Sequence, residues 1–146
     1  MTNPSVSIIL VAFNEPEYLI EKAINSIIDQ TYSDFEFLIV DESSEKETIN
    51  LIKEKALTDK RIRIIRTNKF GFFSNSLNSG FKEAKGNYIA RMDPDDISHK
   101  SRIEMQVKFL KENPKYSFAF KMVLGDQIAE AKVVDVIWGI TKDGYL

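Results

Sequence analysis

Cysteine is absent from the 146 residues of this sequence, and histidine occurs once. A chain without cysteine can form neither a disulfide framework nor a thiolate metal site. No apolar run reaches the ~18 residues that a membrane-spanning helix requires. The N-terminal stretch MTNPSVS also lacks the charged and apolar regions of a signal peptide. These absences predict a protein of a reducing, cytoplasmic compartment.

A strong excess of one charge is also absent, because 20 basic residues face 22 acidic ones and the formal net charge is -2. The basic residues are scattered along the chain, so the sequence has no basic footprint and predicts no nucleic-acid partner. A hydrophobic fraction of 43% suits a soluble domain with a substantial core.

Short apolar segments alternate with segments of helical periodicity. The apolar segments, rich in β-branched residues, predict four strands at 6–13, 34–41, 61–68 and 87–93. Helices are expected after each strand: one from Pro16 to about Gln30, one capped by Ser44 and Glu47, one stopped by Gly86, and one capped by Ser98 and closed by Pro114. This alternation predicts an α/β fold with a mostly parallel sheet and helices on both faces.

Residues 1–115 hold this pattern, and the tail 116–146 is harder to interpret. Two further strands, YSFAFKMVL and KVVDVIWGI, are expected there without a readable order.

Polar side chains follow each of the four predicted strands. They are Asn14 and Glu15, Asp41, Asn68, and the group Asp93, Asp95 and Asp96. Ligands bind at the carboxyl ends of strands in open parallel sheets, so these residues are expected at one site. For any single strand a simple turn is the better explanation, since Asn and Asp favour turns. Four such ends in succession favour a site.

The segment YIARMDPDDIS places three carboxylates within four positions. Carboxylates at such short separations repel one another unless a cation lies between them. Carboxylates separated by one proline suit a hard divalent ion, Mg²⁺ or Mn²⁺, whose other ligands are substrate phosphates. A metal-bound diphosphate is therefore expected here. The nearby His99 is interpreted mainly as a helix-start residue and only secondarily as a ligand.

Two blocks of the sequence resemble family 2 glycosyltransferases. The first is VSIILVAFNEPEYLIEKAINSIIDQTYSDFEFLIVDESSEKET, and the second is LNSGFKEAKGNYIARMDPDDISHKSRIEMQVKFLKENP, which contains the Asp-x-Asp motif. The resemblance covers Ser5 to about Pro114 and is nearest to bacterial enzymes of surface polysaccharide synthesis. It implies the nucleotide-sugar-binding fold called GT-A.

The resemblance also implies residue roles. Donor-binding residues would be Ala12, Phe13, Glu15, Asp41, Lys69, Asn75 and Asp93. Asp41 would accept a hydrogen bond from the base, usually uracil, and Asp93 would lie near the ribose and diphosphate. Asp95 would be the principal ligand of Mn²⁺ or Mg²⁺, with Asp93 beside it and Asp96 in support.

The implied reaction is the transfer of a sugar from a nucleotide donor, UDP-linked by the same resemblance, to a saccharide or lipid-linked acceptor with inversion. A peripheral membrane association at the inner face is left open. The general base is not identified, because the family's acceptor-binding segment lies after the Asp-x-Asp half. The chain is accordingly interpreted as a fragment, a naturally shortened protein, or a donor-binding half completed elsewhere.

The sequence departs from the family where DESS replaces the frequent Asp-Asp-Gly-Ser, which places Glu42 in the second position. The loop KFGFFSNS is bulkier than usual, and Phe72 and Phe73 either narrow the pocket or pack.

Two other functions are weighed. A haloacid-dehalogenase-type phosphatase would use Asp93 as nucleophile and Asp95 as acid, but that class places its motif after the first strand. A non-catalytic module would bind nucleotide without turnover.

Overall fold

The computed structural model describes residues 3–67 and 73–116. Four strands alternate with four helices in that part of the chain. The elements in chain order are β1 (Val6–Ala12), α1 (Glu17–Ile28), β2 (Phe35–Asp41), α2 (Lys46–Thr58), β3 (Ile62–Arg66), α3 (Phe73–Glu83), β4 (Tyr88–Met92) and α4 (Arg102–Glu112). The predicted alternation is therefore confirmed. The two strands expected in the tail lie outside the described residues.

The strands form one parallel sheet in the order β3-β2-β1-β4. β1 and β2, the central strands, are buried at every position, as expected for strands covered on both faces. Parallel pairing aligns Ala12 with Asp41 and Leu10 with Met92, so the carboxyl ends of β1, β2 and β4 share one edge.

Alternate residues of each strand face opposite layers of helix. One face, which includes Ile8, Leu10 and Phe37, packs against apolar residues of α1, α2 and α4. The other face, which includes Ile9, Val11 and Leu38, packs against Leu77 and Phe81 of α3 and against Ala84 just after it. The predicted placement of helices on both faces is confirmed, with Leu77, Phe81 and Ala84 directed inward as expected.

Two predicted helix caps are wrong. Helix α2 begins after Glu45 without a side-chain cap, and the hydroxyl of Ser44 instead accepts a hydrogen bond from Asn14 Nδ2 at 3.0 Å. Helix α4 begins after Ser101, also uncapped, while Ser98 lies buried in the preceding segment. In both places a partner distant in sequence holds the segment that the local pattern assigned to a cap.

Gly86 was expected to stop α3, but the helix ends earlier, at Glu83. A Cβ atom at Gly86 would lie 2.4 Å from the backbone nitrogen of Ser7, closer than any real contact. The backbone N–H of Gly86 donates to Ser7 Oγ at 2.8 Å. Glycine is therefore required at this position because β1 passes directly beside it.

Within the described residues, none of the helices combines the length and the apolar character needed to cross a membrane.

Candidate functional site

The candidate site lies at the carboxyl edge of the sheet, where the loops after β1, β2 and β4 meet. The backbone N–H of Glu42 donates to the carbonyl of Ala12 at 2.9 Å, which extends the β1–β2 pairing past Asp41. Asp95 and Asp41 lie near enough to Glu15 for their charges to act on it. We call Glu15, Asp41, Asp93 and Asp95 the acidic corner.

Asn14 joins the loop after β1 to the loop after β2. Its Oδ1 accepts hydrogen bonds from the backbone N–H groups of Ser44 and Glu45 at 2.7 and 3.0 Å. Its own backbone N–H donates to Ser43 Oγ at 3.2 Å. Asn14 has φ 55°, in the left-handed region that Asn tolerates better than most residues. The loops after β1 and β2 are thus held together by the Asn14 side chain as well as by strand pairing.

Asp41 is almost fully buried at the end of β2, with 2% of its surface exposed. Its Oδ1 accepts the backbone N–H of Ser43 at 2.9 Å, and its Oδ2 pairs with Arg66 Nη1 at 2.5 Å. Arg66, the last residue of β3, also donates to the carbonyl of Ser43. These bonds hold the Asp41 carboxylate in a defined orientation. A carboxylate has about four lone-pair positions, so two hydrogen bonds leave it able to accept more.

Glu42 connects β2 to α3. It is 7% exposed, and its Oε1 accepts a hydrogen bond from Ser76 Oγ at 2.6 Å. Ser76 lies in the first turns of α3, next to Asn75, so the contact holds the start of that helix at the carboxyl edge of the sheet. The charge that replaces the family's usual second aspartate therefore serves to dock α3.

The acidic turn after β4 contains a basic side chain as well. Arg91 Nη2 forms an ion pair with Asp93 Oδ1, and the guanidinium carbon lies 4.9 Å from the ring centroid of Phe73. The Phe73 side chain is 47% exposed, so it borders the site and is only partly packed. Asp95 and Asp96 are exposed.

Glu15 shows that negative charge is concentrated here. Burial raises the pKa of its carboxyl above the ordinary value of 4.5, and the charges of Asp95 and Asp41 raise it further. Hydrogen bonds from its own backbone N–H and that of Phe13 act in the opposite direction. The Phe13 N–H donates to Glu15 Oε2 at 2.7 Å. A cation bound at this corner would relieve the repulsion.

Gln30 anchors the far end of the acidic turn. This residue follows α1 and is 7% exposed. Its Nε2 donates to the carbonyls of Ser26 and His99 at 2.9 and 2.8 Å and to Ser98 Oγ at 3.3 Å, and its Oε1 accepts the N–H of Ile103 at 3.0 Å. The residues that follow Asp96 are therefore fixed to α1.

The carboxylates present fit a hard divalent ion of the kind expected from the sequence, since oxygen ligands suit Mg²⁺ and Mn²⁺. In the part of the chain described, no set of three or more histidine and acidic side chains is arranged to hold a metal by itself. A site shared with substrate phosphates needs only one or two carboxylates, and Asp95 and Asp93 would supply them.

The structure places Ala12, Phe13, Glu15, Asp41, Asp93 and Asp95 at the carboxyl edge of the sheet, and Asn75 lies in α3 beside Ser76, which contacts Glu42. Lys69 lies outside the described residues, as does Asn68. His99 is exposed and its Nδ1 contacts Ser101 Oγ at 3.0 Å, in the segment just before α4.

Arg66, Arg91 and Gln30 are absent from the sequence prediction. No motif in the neighbouring sequence marks these three residues as part of a site. Arg66 and Arg91 do lie near the ends of β3 and β4, and that position could have placed them at the carboxyl edge of the sheet.

Solved structures share this architecture. A mannosyltransferase from Pyrobaculum calidifontis, solved with GDP-Man and Mn²⁺, superposes with a TM-score of 0.71 at 23% identity, over 84% of this chain and 36% of that one. TarS 1-349 of S. aureus, solved with UDP, gives a TM-score of 0.68 at 24% identity, over 86% and 38%. The fold is therefore the GT-A, Rossmann-like fold of nucleotide-sugar transferases.

The sequence matches the glycosyl transferase family 2 model over residues 7–130, and the chain belongs to that family. An uncharacterized glycosyltransferase of Haemophilus influenzae is 43% identical over 75% of this chain and 34% of its own length. A Bacillus subtilis protein, TuaG, provisionally named a teichuronic acid biosynthesis glycosyltransferase, is 32% identical over 100% of this chain and 59% of its own. The chain thus spans between about a third and three fifths of these relatives.

The haloacid dehalogenase alternative loses its basis, because the Asp-x-Asp motif follows the fourth strand and the family is a different one.

Proposed function

We propose that residues 1–115 bind a nucleotide diphosphate sugar, UDP-linked, with a divalent cation, as the donor-binding part of a glycosyltransferase. The observation that carries the proposal is the acidic corner, where four carboxylates lie at or just beyond the ends of the three strands β1, β2 and β4. Membership of glycosyl transferase family 2 supports the reaction class. The proposed acceptor is a saccharide or lipid-linked hydroxyl in surface polysaccharide synthesis, which the TuaG relative supports.

Asp41 is the proposed base-binding residue. Its buried carboxylate is oriented by Arg66 and by the Ser43 N–H, and it retains lone pairs for an incoming donor. The imide N–H of uracil is such a donor, whereas cytosine presents an acceptor at the same ring position. Recognition by a fixed carboxylate would therefore favour uracil over cytosine.

Phe13 is the proposed wall of the nucleotide pocket, and Ala12 and Glu15 flank it in the chain. Ala12 has no exposed surface, and 52% of Phe13 is exposed, so a planar base has an aromatic surface available beside Asp41. Lys69 and Asn75 are proposed to border the donor, and of these Asn75 lies in α3.

Asp95 and Asp93 are the proposed ligands of Mn²⁺ or Mg²⁺. When bound, such an ion stabilises the negative charge that develops on a departing diphosphate. The protein's own contribution is to hold these carboxylates on a turn whose far end is fixed by Gln30 at Ser98 and His99, while Arg91 pairs with Asp93 in this structure.

The test is titration of the chain with UDP by calorimetry, in Mn²⁺ and in EDTA. We expect UDP to bind in Mn²⁺ and to bind at least about tenfold more weakly in EDTA, one lost metal contact being worth more than 1.4 kcal/mol. Asp95→Asn should reduce binding in Mn²⁺ to the level in EDTA, with the thermal midpoint nearly unchanged because the residue is exposed.

Asp34→Asn is the matched control, since it removes an exposed carboxylate just before β2, at the opposite edge of the sheet. It should bind UDP as the parent does. Equal UDP affinity in Asp95→Asn and the parent would remove the metal role from Asp95.

A donor-hydrolysis assay distinguishes a catalytic chain from a module that binds the donor without turnover. Release of UDP from a UDP-sugar supports a catalytic chain, and binding without release supports a donor-binding module. The absence of any nucleotide binding would refute both.

A further inference from the structure

Arg91 places a positive charge inside the acidic corner. It is the fourth of the five residues of β4, and its guanidinium pairs with Asp93, a proposed metal ligand. Both side chains are 39% exposed, so the pair lies at the surface of the site and can be reached by a ligand. The structure therefore shows a carboxylate that is already neutralised by the chain itself.

Not all of the hydrogen-bond donors of the Arg91 guanidinium have an acceptor within the described part of the chain. Among the described residues Asp93 is the hydrogen-bond acceptor recorded for Arg91, and Arg91 Nε is buried without a partner. Arginine carries five N–H donors in a planar fork that matches phosphate and carboxylate oxygens in pairs. Nε is buried as the side chain now stands, so a second oxyanion would pair with both Nε and Nη2 only after the guanidinium has left Asp93.

The position of the guanidinium is set by its stem and by its neighbours. Its carbon lies 4.9 Å from the centroid of the Phe73 ring, at the start of α3. The backbone carbonyl of Arg91 accepts a hydrogen bond from Arg102 Nη2 at 2.7 Å. The charged group is therefore kept at the site even when its partner changes, because aromatic stacking does not depend on Asp93.

We propose that Arg91 is a diphosphate-binding residue that pairs with Asp93 while the donor site is empty and exchanges Asp93 for phosphate oxygens when the donor binds. This inference rests on the proposed function and deepens it. Arg91 competes with a divalent cation for Asp93 and, once released, adds a bidentate contact to the diphosphate. The same side chain thus opposes binding of the metal alone and favours binding of metal and diphosphate together.

The test compares Arg91→Gln and Arg91→Lys with the parent chain. Binding of Mn²⁺ alone is followed by the EPR signal of the free ion, and binding of UDP, UMP and inorganic pyrophosphate in Mn²⁺ is followed by calorimetry. In Arg91→Gln we expect Mn²⁺ alone to bind severalfold more tightly and UDP and pyrophosphate to bind about tenfold more weakly. UMP should lose less than UDP.

Arg91→Lys keeps the charge without the fork, so it should leave Mn²⁺ binding near the parent value and weaken UDP binding by an intermediate factor. The matched control is Arg63→Gln, which also removes a guanidinium paired with a carboxylate, Glu36, but at the opposite edge of the sheet. It should lower the thermal midpoint and leave the ratio of Mn²⁺ to UDP affinity unchanged.

The opposite shifts in Mn²⁺ and UDP affinity cannot arise from a purely structural role. Equal losses of both affinities in Arg91→Gln, or unchanged affinities, overturn the inference. If the parent binds pyrophosphate with Mn²⁺ and does not bind UDP, the nucleotide proposal fails. The role of Arg91 is then decided by comparing the pyrophosphate affinities of Arg91→Gln and the parent. If the parent binds neither, both proposals are overturned.

Discussion

Asn14 illustrates how a single residue can organise a site without touching its chemistry. The amide oxygen accepts hydrogen bonds from two N–H groups in the segment just before α2, while the backbone adopts φ 55°. Asn combines a tolerance for this left-handed conformation with a short side chain that can hydrogen-bond to nearby backbone.

We expect Asn14→Ala to destabilise the protein by about 2 kcal/mol, the sum of the lost side-chain hydrogen bonds to Ser44 and Glu45 and of a left-handed alanine. Asn14→Gly loses the same hydrogen bonds without the strain and should be about 1 kcal/mol more stable than the alanine variant. Urea unfolding of the three proteins measures both differences. A glycine variant no more stable than the alanine variant would show that backbone strain is not a factor.

Individual residues of the acidic corner could be predicted from the sequence, but their partners could not. Asp41, Asp93 and Asp95 stand at strand ends, and a strand end is visible as the point where an apolar run stops. The partner of Asp41 is Arg66, on the neighbouring strand, 25 residues away. Strand order decides that contact, and strand order is not contained in local periodicity.

Among the elements, the strands and helices follow directly from the sequence because short continuous apolar runs alternate with segments of helical periodicity. Their ends follow less well. Ser44 and Glu47 have the spacing of a capping box, yet Asn14, 30 residues away, supplies the hydrogen bonds. A tertiary partner replaced the local cap because both loops are required at the same edge of the sheet.

The connection between α1 and the segment before α4 depends on Gln30. Gln30→Met keeps the volume and removes four hydrogen bonds to buried or half-buried groups. We expect a loss of about 3 kcal/mol in the free energy of unfolding, because the abandoned polar groups remain desolvated. Chemical denaturation measures the change.

Gln106→Met is a control of the same chemistry. Gln106 is 5% exposed, and its Oε1 has no hydrogen-bond partner among the described residues. This replacement should cost less than about 1 kcal/mol. Similar losses in the two variants would mean that volume, not hydrogen bonding, governs the position of Gln30.

Across the whole molecule, the edge opposite the acidic corner is held by a network around Glu36. Its Oε1 accepts hydrogen bonds from Ser7 Oγ at 2.7 Å and from the Lys85 N–H at 2.6 Å, and its Oε2 pairs with Arg63 at 2.7 Å. Burial alone would raise the pKa of Glu36, but these hydrogen bonds and the Arg63 charge lower it below the ordinary value of 4.5. The network joins β1, β2, β3 and the segment after α3.

A lowered pKa makes the stability of the whole domain sensitive to acid. The contribution of Glu36 is fully present above its ordinary pKa of 4.5 and is lost as the pH falls through the lower value of the folded state. We expect Glu36→Gln to cost about 2 kcal/mol at neutral pH and to lose less stability than the parent on acidification below pH 4.5. Thermal unfolding as a function of pH measures this difference, and parallel curves for the two proteins would contradict it.

The close approach of Gly86 to Ser7 limits what can be changed at that end of the domain. A side chain at Gly86 could be added only by displacing the backbone of β1. At the other end, the side chains of Phe13 and Arg66 are about half exposed, so they can be varied while the scaffold persists. An engineer seeking a new donor preference should therefore diversify the strand tips around Phe13 and Arg66 and leave the Gly86 turn untouched.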